Sequence, residues 1–103
     1  MSATPIQQII TSGSSFTLST TNAFVGWNSA TTLAKTTNIP AATGSLTTVV
    51  ISDIIGSADS AHGAYNYPIT AIPASGSIVG VNAVYTNGGS ITLLDTSVGW
   101  CSI

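Results

Sequence analysis

His62 is the one histidine of the chain, and with Asp59 and Ser60 it spells D-S-A-H, the residue types of a nucleophile, a base and its orienter. A catalytic triad brings those groups together from separate elements, with the base packed between nucleophile and carboxylate. Residues so close in sequence do not converge that way, and no G-x-S-x-G elbow occurs anywhere. The reading is an exposed loop histidine. Asp53 and Asp59 are the closest pair of carboxylates, and Asp53 falls in a strand pattern, so no acid/base pair is expected and the chain is read as not an enzyme. Cys101, His62 and the three aspartates lack ligand spacing, and the glycines form no dinucleotide or phosphate-binding pattern. No metal and no cofactor is therefore expected. Cys101, beside Trp100, reads as a small buried hydrophobe. Trp27 and Trp100 read as core. Tyr65 and Tyr67, with Asn66 and His62, form a candidate contact loop, because aromatic rings stack on the apolar faces of sugars and amides complete such sites.

Only 4% of the 103 residues are charged: Lys35, Asp53, Asp59 and Asp95, for a net charge of −2. Serine and threonine supply 31 residues and glycine 10, while 44% of the chain is hydrophobic. One lysine cannot neutralise a phosphate backbone, which excludes nucleic acid as a partner. It equally excludes adhesion to an anionic membrane, and no apolar run is long enough for a membrane span. A single cysteine permits no internal disulfide. Met1 to Ile10 lacks a basic segment followed by an apolar run, so the expectation is a chain made in the cytoplasm without a signal peptide. With so little charge to keep copies apart, the surface is expected to be covered by other subunits or hydrated by hydroxyls and amides.

These residues must be carried by strands. Ile, Val and Thr dominate, and clusters of Ser, Gly, Asn and Pro recur every 8–12 residues or so, the rhythm of a sandwich, barrel or fibre module. The pattern predicts a single β domain over residues 1–103, a compact antiparallel sandwich of jelly-roll type with about eight strands. They fall at Ile6–Ile10, Ser15–Thr20, Ala23–Trp27, Leu46–Ile54, Pro68–Ile72, Ser77–Tyr85, Ser90–Leu94 and Gly99–Ile103. Continuous apolarity in Leu46–Ile55 predicts a central strand covered on both faces. Thr86-Asn87-Gly88-Gly89 predicts a hairpin between the sixth and seventh strands, with Val81, Ala83 and Tyr85 on one face. Gly80 predicts a bulge or close backbone approach. The predicted core is Trp27, Val49, Val50, Ile51, Ile78, Val81, Ile91, Leu93 and Trp100. Asn28–Thr37 is ambiguous between loop, strand and helical turn. Gly56–Asn66 reads as a surface loop too small and polar to build core. Residues 1–8 are polar enough to form an arm that orders on docking. Thr11–Trp27 and Thr86–Trp100 share a Gly-Ser turn, an alternating strand and Val-Gly-Trp, a pattern that would place the two tryptophans equivalently.

From Asn38 onward the order of features resembles a module of bacteriophage tail fibres, spikes and other virion appendages. The pieces are Ile39-Pro40, Ile69-Thr70-Ala71-Ile72-Pro73, Gly76-Ser77-Ile78-Val79-Gly80, Gly89-Ser90-Ile91-Thr92-Leu93 and Gly99-Trp100. Val79 stands in a region where the module often carries an aspartate. The resemblance implies a virion structural protein: a capsid decoration (cement) protein or a short fibre or spike subunit. It further implies a homo-oligomer, a trimer first, bound to a major capsid or tail protein. The alternative is a receptor-binding module that holds a host glycan through His62, Tyr65, Asn66 and Tyr67.

Overall fold

The computed structural model describes residues 5–103. The chain is all-β, and its described residues form ten strands in two sheets packed face to face. The strands are β1 (Ile6–Ile10), β2 (Ser15–Thr17), β3 (Ala23–Trp27), β4 (Lys35–Ile39) and β5 (Thr48–Asp53). After a single helical turn, α1 (Ile55–Ala58), and a 3₁₀ turn at Ser60–His62, they continue as β6 (Ile69–Pro73), β7 (Ile78–Val79), β8 (Ala83–Val84), β9 (Ser90–Thr96) and β10 (Gly99–Ser102). The larger sheet runs β1-β3-β5-β9-β10-β7 and the smaller β2-β4-β6-β8.

The path corrects the antiparallel, jelly-roll-like expectation. Odd and even strands alternate between the sheets as far as β9, so β1, β3 and β5 are parallel neighbours, as are β2, β4 and β6. Each strand of one sheet is the crossover that parallel strands of the other require. Antiparallel pairing enters only with β8, β9 and β10. Spacing between turns is the same for a coil and for a meander, so rhythm alone could not separate them.

Period-2 alternation sorts the side chains. On β5, Val49, Ile51 and Asp53 point inward and are buried, while Thr48, Val50 and Ser52 point outward and are half-buried. This corrects the expectation of full cover on both faces, and removes Val50 from the core. Val25, Trp27, Leu93 and Trp100 join the inward set, facing Leu18, Ile39, Ile69, Ala71 and Val84 of the second layer. Ile78 is only half-buried at the edge, though it packs on this core. Val81 is 54% exposed. The reason is that Ser77–Tyr85 is two short strands in different sheets. Val81 sits in the bend between them, its N–H donated to Ser102 Oγ at 2.8 Å. Gly80 has φ +93° there, and a Cβ would collide with the Ser102 hydroxyl, the close approach its position predicted. Tyr85 is exposed too, while Ala83 is buried.

The Thr86–Gly89 turn does form, with Gly89 N–H donated to Thr86 O at 3.0 Å. It passes from β8 in one sheet to β9 in the other, so the expected hairpin is absent among the described residues. Of the stretch read as an arm, Ile6–Gln8 lie in β1, and residues 1–4 lie outside the described residues.

The two tryptophans do occupy related places. Each is buried, each lies in register beside a buried aspartate (Trp27 by Asp53, Trp100 by Asp95), and each indole N–H crosses to the chain of the opposite layer. The acceptors are Thr37 Oγ1 and Pro40 O, both at 2.9 Å. The correspondence stops at the valines: Val25 is buried and Val98 is 88% exposed.

Gly26, on the outer face of β3, lies beneath Ile54, with Ile9 and Phe24 alongside. A Cβ there would overlap Ile54 Cδ1 and stand 3.0 Å from Ile9 Cδ1 and 3.1 Å from Phe24 Cε1. Gly26→Ala is expected to destabilise the fold by about 1–2 kcal/mol through overpacking, read as a lower urea midpoint with unchanged slope.

Candidate functional site

The described chemistry collects at one end of the sandwich, where β5 finishes. Asp53, the last residue of β5, is 1% exposed. Its carboxylate accepts three backbone N–H groups: from Ala64 at 2.9 Å, Gly88 at 3.1 Å and Gly56 at 3.3 Å. One side chain thus gathers α1, the segment after the 3₁₀ turn and the β8–β9 connection. Glycines make the approach possible. A Cβ on Gly56 would overlap the Asp53 carboxylate, and one on Gly63 would overlap Asn87 Oδ1 and lie 2.8 Å from Gly56 Cα.

This is why Gly56–Asn66 departs from the expected loop. Its small residues close the end of the core, with Ala64 fully buried within the main apolar cluster. Asn87 braces the segment from the other side, its Oδ1 accepting Tyr65 N–H at 3.1 Å and its Nδ2 donating to Ser60 O at 3.4 Å.

The candidate contact residues lie on this segment or, for Tyr67, immediately after it, but differ in availability. Tyr65 is 75% exposed. Asn66 is exposed and donates from Nδ2 to Ala61 O at 3.3 Å. Tyr67 is half-buried, its ring centroid 5.8 Å from Lys35 Nζ, within the range of a cation–π contact. His62 lies 2.6 Å from Asp59 Oδ2 through Nδ1, both side chains partly exposed. The D-S-A-H residues therefore yield a His–Asp pair. Among the described residues no hydrogen bond joins a serine hydroxyl to His62, and no group of three or more His, Cys, Asp or Glu is gathered as a metal site.

Neither a family model nor a curated protein matches this chain. Its own geometry carries the reading.

Lys35, at the start of β4, is the buried counterpart of Asp53. It is 1% exposed and donates from Nζ to His62 O at 3.4 Å. Burial pushes its pKa below the ordinary lysine value, and the Asp53 charge partly offsets that. Asp95, on β9 at the opposite end of the sheet, is fully buried and binds the 43–45 turn. It accepts Thr43 N–H at 2.7 Å, Thr43 Oγ1–H at 2.7 Å, Gly44 N–H at 2.9 Å, Ser45 N–H at 3.3 Å and Ser45 Oγ–H at 2.5 Å. Burial alone would raise its pKa, but the Ser45 and Thr43 hydroxyls and the Gly44 and Thr43 amides outweigh it and hold the group well below the usual carboxylate range.

Three of the four charged side chains are thus internal, and Asp59 is the exception. The aromatics of this segment single it out in the sequence, whereas the residues that organise it, Lys35, Asp53 and Asn87, were missed there. A usable signal was present: a charged residue at the end of an apolar strand is costly to bury unless it does structural work.

Among the described residues, the outer face of the larger sheet carries no charged side chain. Register aligns Gln7, Phe24, Val50 and Thr92 in one row, Ile9, Gly26, Ser52 and Ser90 in a second, and Thr48, Leu94, Cys101 and Val79 in a third. Cys101, read as a small buried hydrophobe, is only half-buried, in this face.

Proposed function

We propose that this chain is a structural subunit of a bacteriophage particle, a capsid decoration or short fibre protein that works by oligomeric contact and catalyses nothing. The observation that carries the reading is the partition of charge. Lys35, Asp53 and Asp95 are buried, so the protein offers neighbours a surface of hydroxyls, amides and apolar groups with almost no ions to desolvate. Obligate interfaces are large and comparatively apolar, and the outer face of the six-stranded sheet has that character. The resemblance of Ile69–Pro73, Gly76–Gly80 and Gly89–Leu93 to virion-appendage modules supplies the particle and the trimer. The partners are then other copies and a major capsid or tail protein.

The test is the solution mass by light scattering on a sizing column. A mass near three chains that survives dilution is expected, with Val50→Lys shifting it to one chain while the β-rich circular dichroism persists. A monomer at every concentration that also ignores capsid and tail proteins overturns the proposal.

Exposure of Tyr65 beside Asn66 favours a second reading, a host-glycan contact. Tyr67 is occupied by Lys35, so Tyr65 carries it: Tyr65→Ala is expected to abolish adsorption to host cells and leave assembly intact.

A further inference from the structure

Asn87 is followed by Gly88, and the groups around the pair are those that the attack of a backbone nitrogen on a side-chain amide requires. The nucleophile is Gly88 N. Its N–H is donated to the buried Asp53 carboxylate, 3.1 Å away, which polarises that bond and can receive the proton. The electrophile is Asn87 Cγ. Its carbonyl oxygen, Oδ1, accepts Tyr65 N–H at 3.1 Å, a fixed donor aimed at the atom where negative charge develops. The leaving nitrogen, Nδ2, is held by Ser60 O at 3.4 Å. Gly88 has φ +75° and no side chain to block ring closure, and both residues are exposed, so water reaches the product.

We propose that Asn87 is a self-modifying site, at which the fold promotes deamidation, and that the product unlatches the segment carrying Tyr65. Gly88 N bonds to Asn87 Cγ. The Cγ–Nδ2 bond breaks, and Nδ2 leaves as ammonia with the proton lost by Gly88 N. The result is a five-membered succinimide. Water then opens it at either carbonyl, giving aspartate or isoaspartate at position 87. No oxidant or further reactant is consumed. Either product exchanges the Nδ2 donor for an anionic oxygen, so the bond to Ser60 O becomes a repulsion. Isoaspartate also lengthens the backbone by one carbon beside Gly88, which displaces its N–H from Asp53. The Ser60 half of the brace on the 60–67 segment is lost, leaving only the acceptor for Tyr65 N–H, and the surface, whose one exposed side-chain charge among the described residues is Asp59, gains a second.

The experiment is incubation of the full chain in neutral buffer at physiological temperature, with proteolytic mapping and mass spectrometry of residue 87. A free peptide spanning Tyr85–Ile91 is the reference. The folded chain is expected to convert Asn87 at least about tenfold faster than the peptide, a modest share of what a positioned base provides. Conversion no faster than in the peptide overturns the proposal, because the brace then merely protects the amide. Asp53→Asn is expected to return the rate to that of the peptide, and if it fails to fold the wild-type comparison still decides. Asn87→Asp, which installs one product, is expected to speed hydrogen exchange in residues 60–67 and leave β5 and β9 protected. Unchanged exchange there refutes the unlatching.

Discussion

Asp95→Ala is expected to lower the unfolding free energy at neutral pH by about 3–5 kcal/mol, a large fraction of the stability of a domain this size. The carboxylate is fully buried and accepts hydrogen bonds from three backbone N–H groups and two hydroxyls of Thr43, Gly44 and Ser45. Removing it strands those donors and frees a turn whose Gly44 has φ +78°. Asp95→Asn keeps the shape but places an NH₂ where the donors converge, so it is expected to recover only part of the loss. The pH dependence has a definite sign. The folded-state pKa is depressed, so the native state resists protonation more than the unfolded chain does. The stabilisation is full above the unfolded value of about 3.9 and drains away as pH falls below it. Urea midpoints for the wild type should therefore drop steeply on acidification. Asp95→Asn, less stable at neutral pH, should show a shallower drop. Parallel curves for the two proteins would contradict the role assigned to Asp95.

Asp95 also illustrates what local pattern can and cannot convey. Its row, Ser90–Thr96, alternates cleanly, and the sequence located the strand to within two residues of its end. β1 and β3 were equally legible, because five apolar or alternating residues between turn formers admit little else. β4 was not. Lys35-Thr-Thr-Asn-Ile is polar on paper, yet Lys35, Thr37 and Ile39 are buried. Their burial depends on partners far away in sequence: Trp27 for the Thr37 hydroxyl, His62 O and the Asp53 charge for Lys35. Ser77–Tyr85 failed in the opposite way. It has the composition of one strand, but Gly80 turns the chain and the two halves serve different sheets. The 56–67 segment stood out by its aromatics and small residues. Its ordered state was not, since three backbone donors converging on Asp53 leave no trace in a linear pattern.

Asp53→Ala is expected to cost about 3–5 kcal/mol as well, and its interplay with Lys35 identifies the cause. Two losses occur together. The N–H groups of Gly56, Ala64 and Gly88 lose their common acceptor, and the buried Lys35 ammonium loses the opposite charge of Asp53. Lys35→Met alone should be nearly neutral or stabilising. It removes a buried cation that burial already disfavours, and leaves Asp53 with its three donors. In the Asp53→Ala background the same replacement should become clearly stabilising, because the lysine is then a charge without compensation. A coupling of about 1–3 kcal/mol between the two positions is expected from the double-mutant cycle. Alkaline pH offers an independent check. A lysine whose folded pKa is lowered sheds its proton in the native state before the unfolded chain does, so the wild type should gain stability as pH rises through the folded value toward about 10.4. Lys35→Met should lack that gain. If the two proteins instead track each other over that range and the cycle closes with no coupling, Lys35 and Asp53 are independent. The end of the sandwich is then held by the three backbone hydrogen bonds to Asp53, without a contribution from the charge pair.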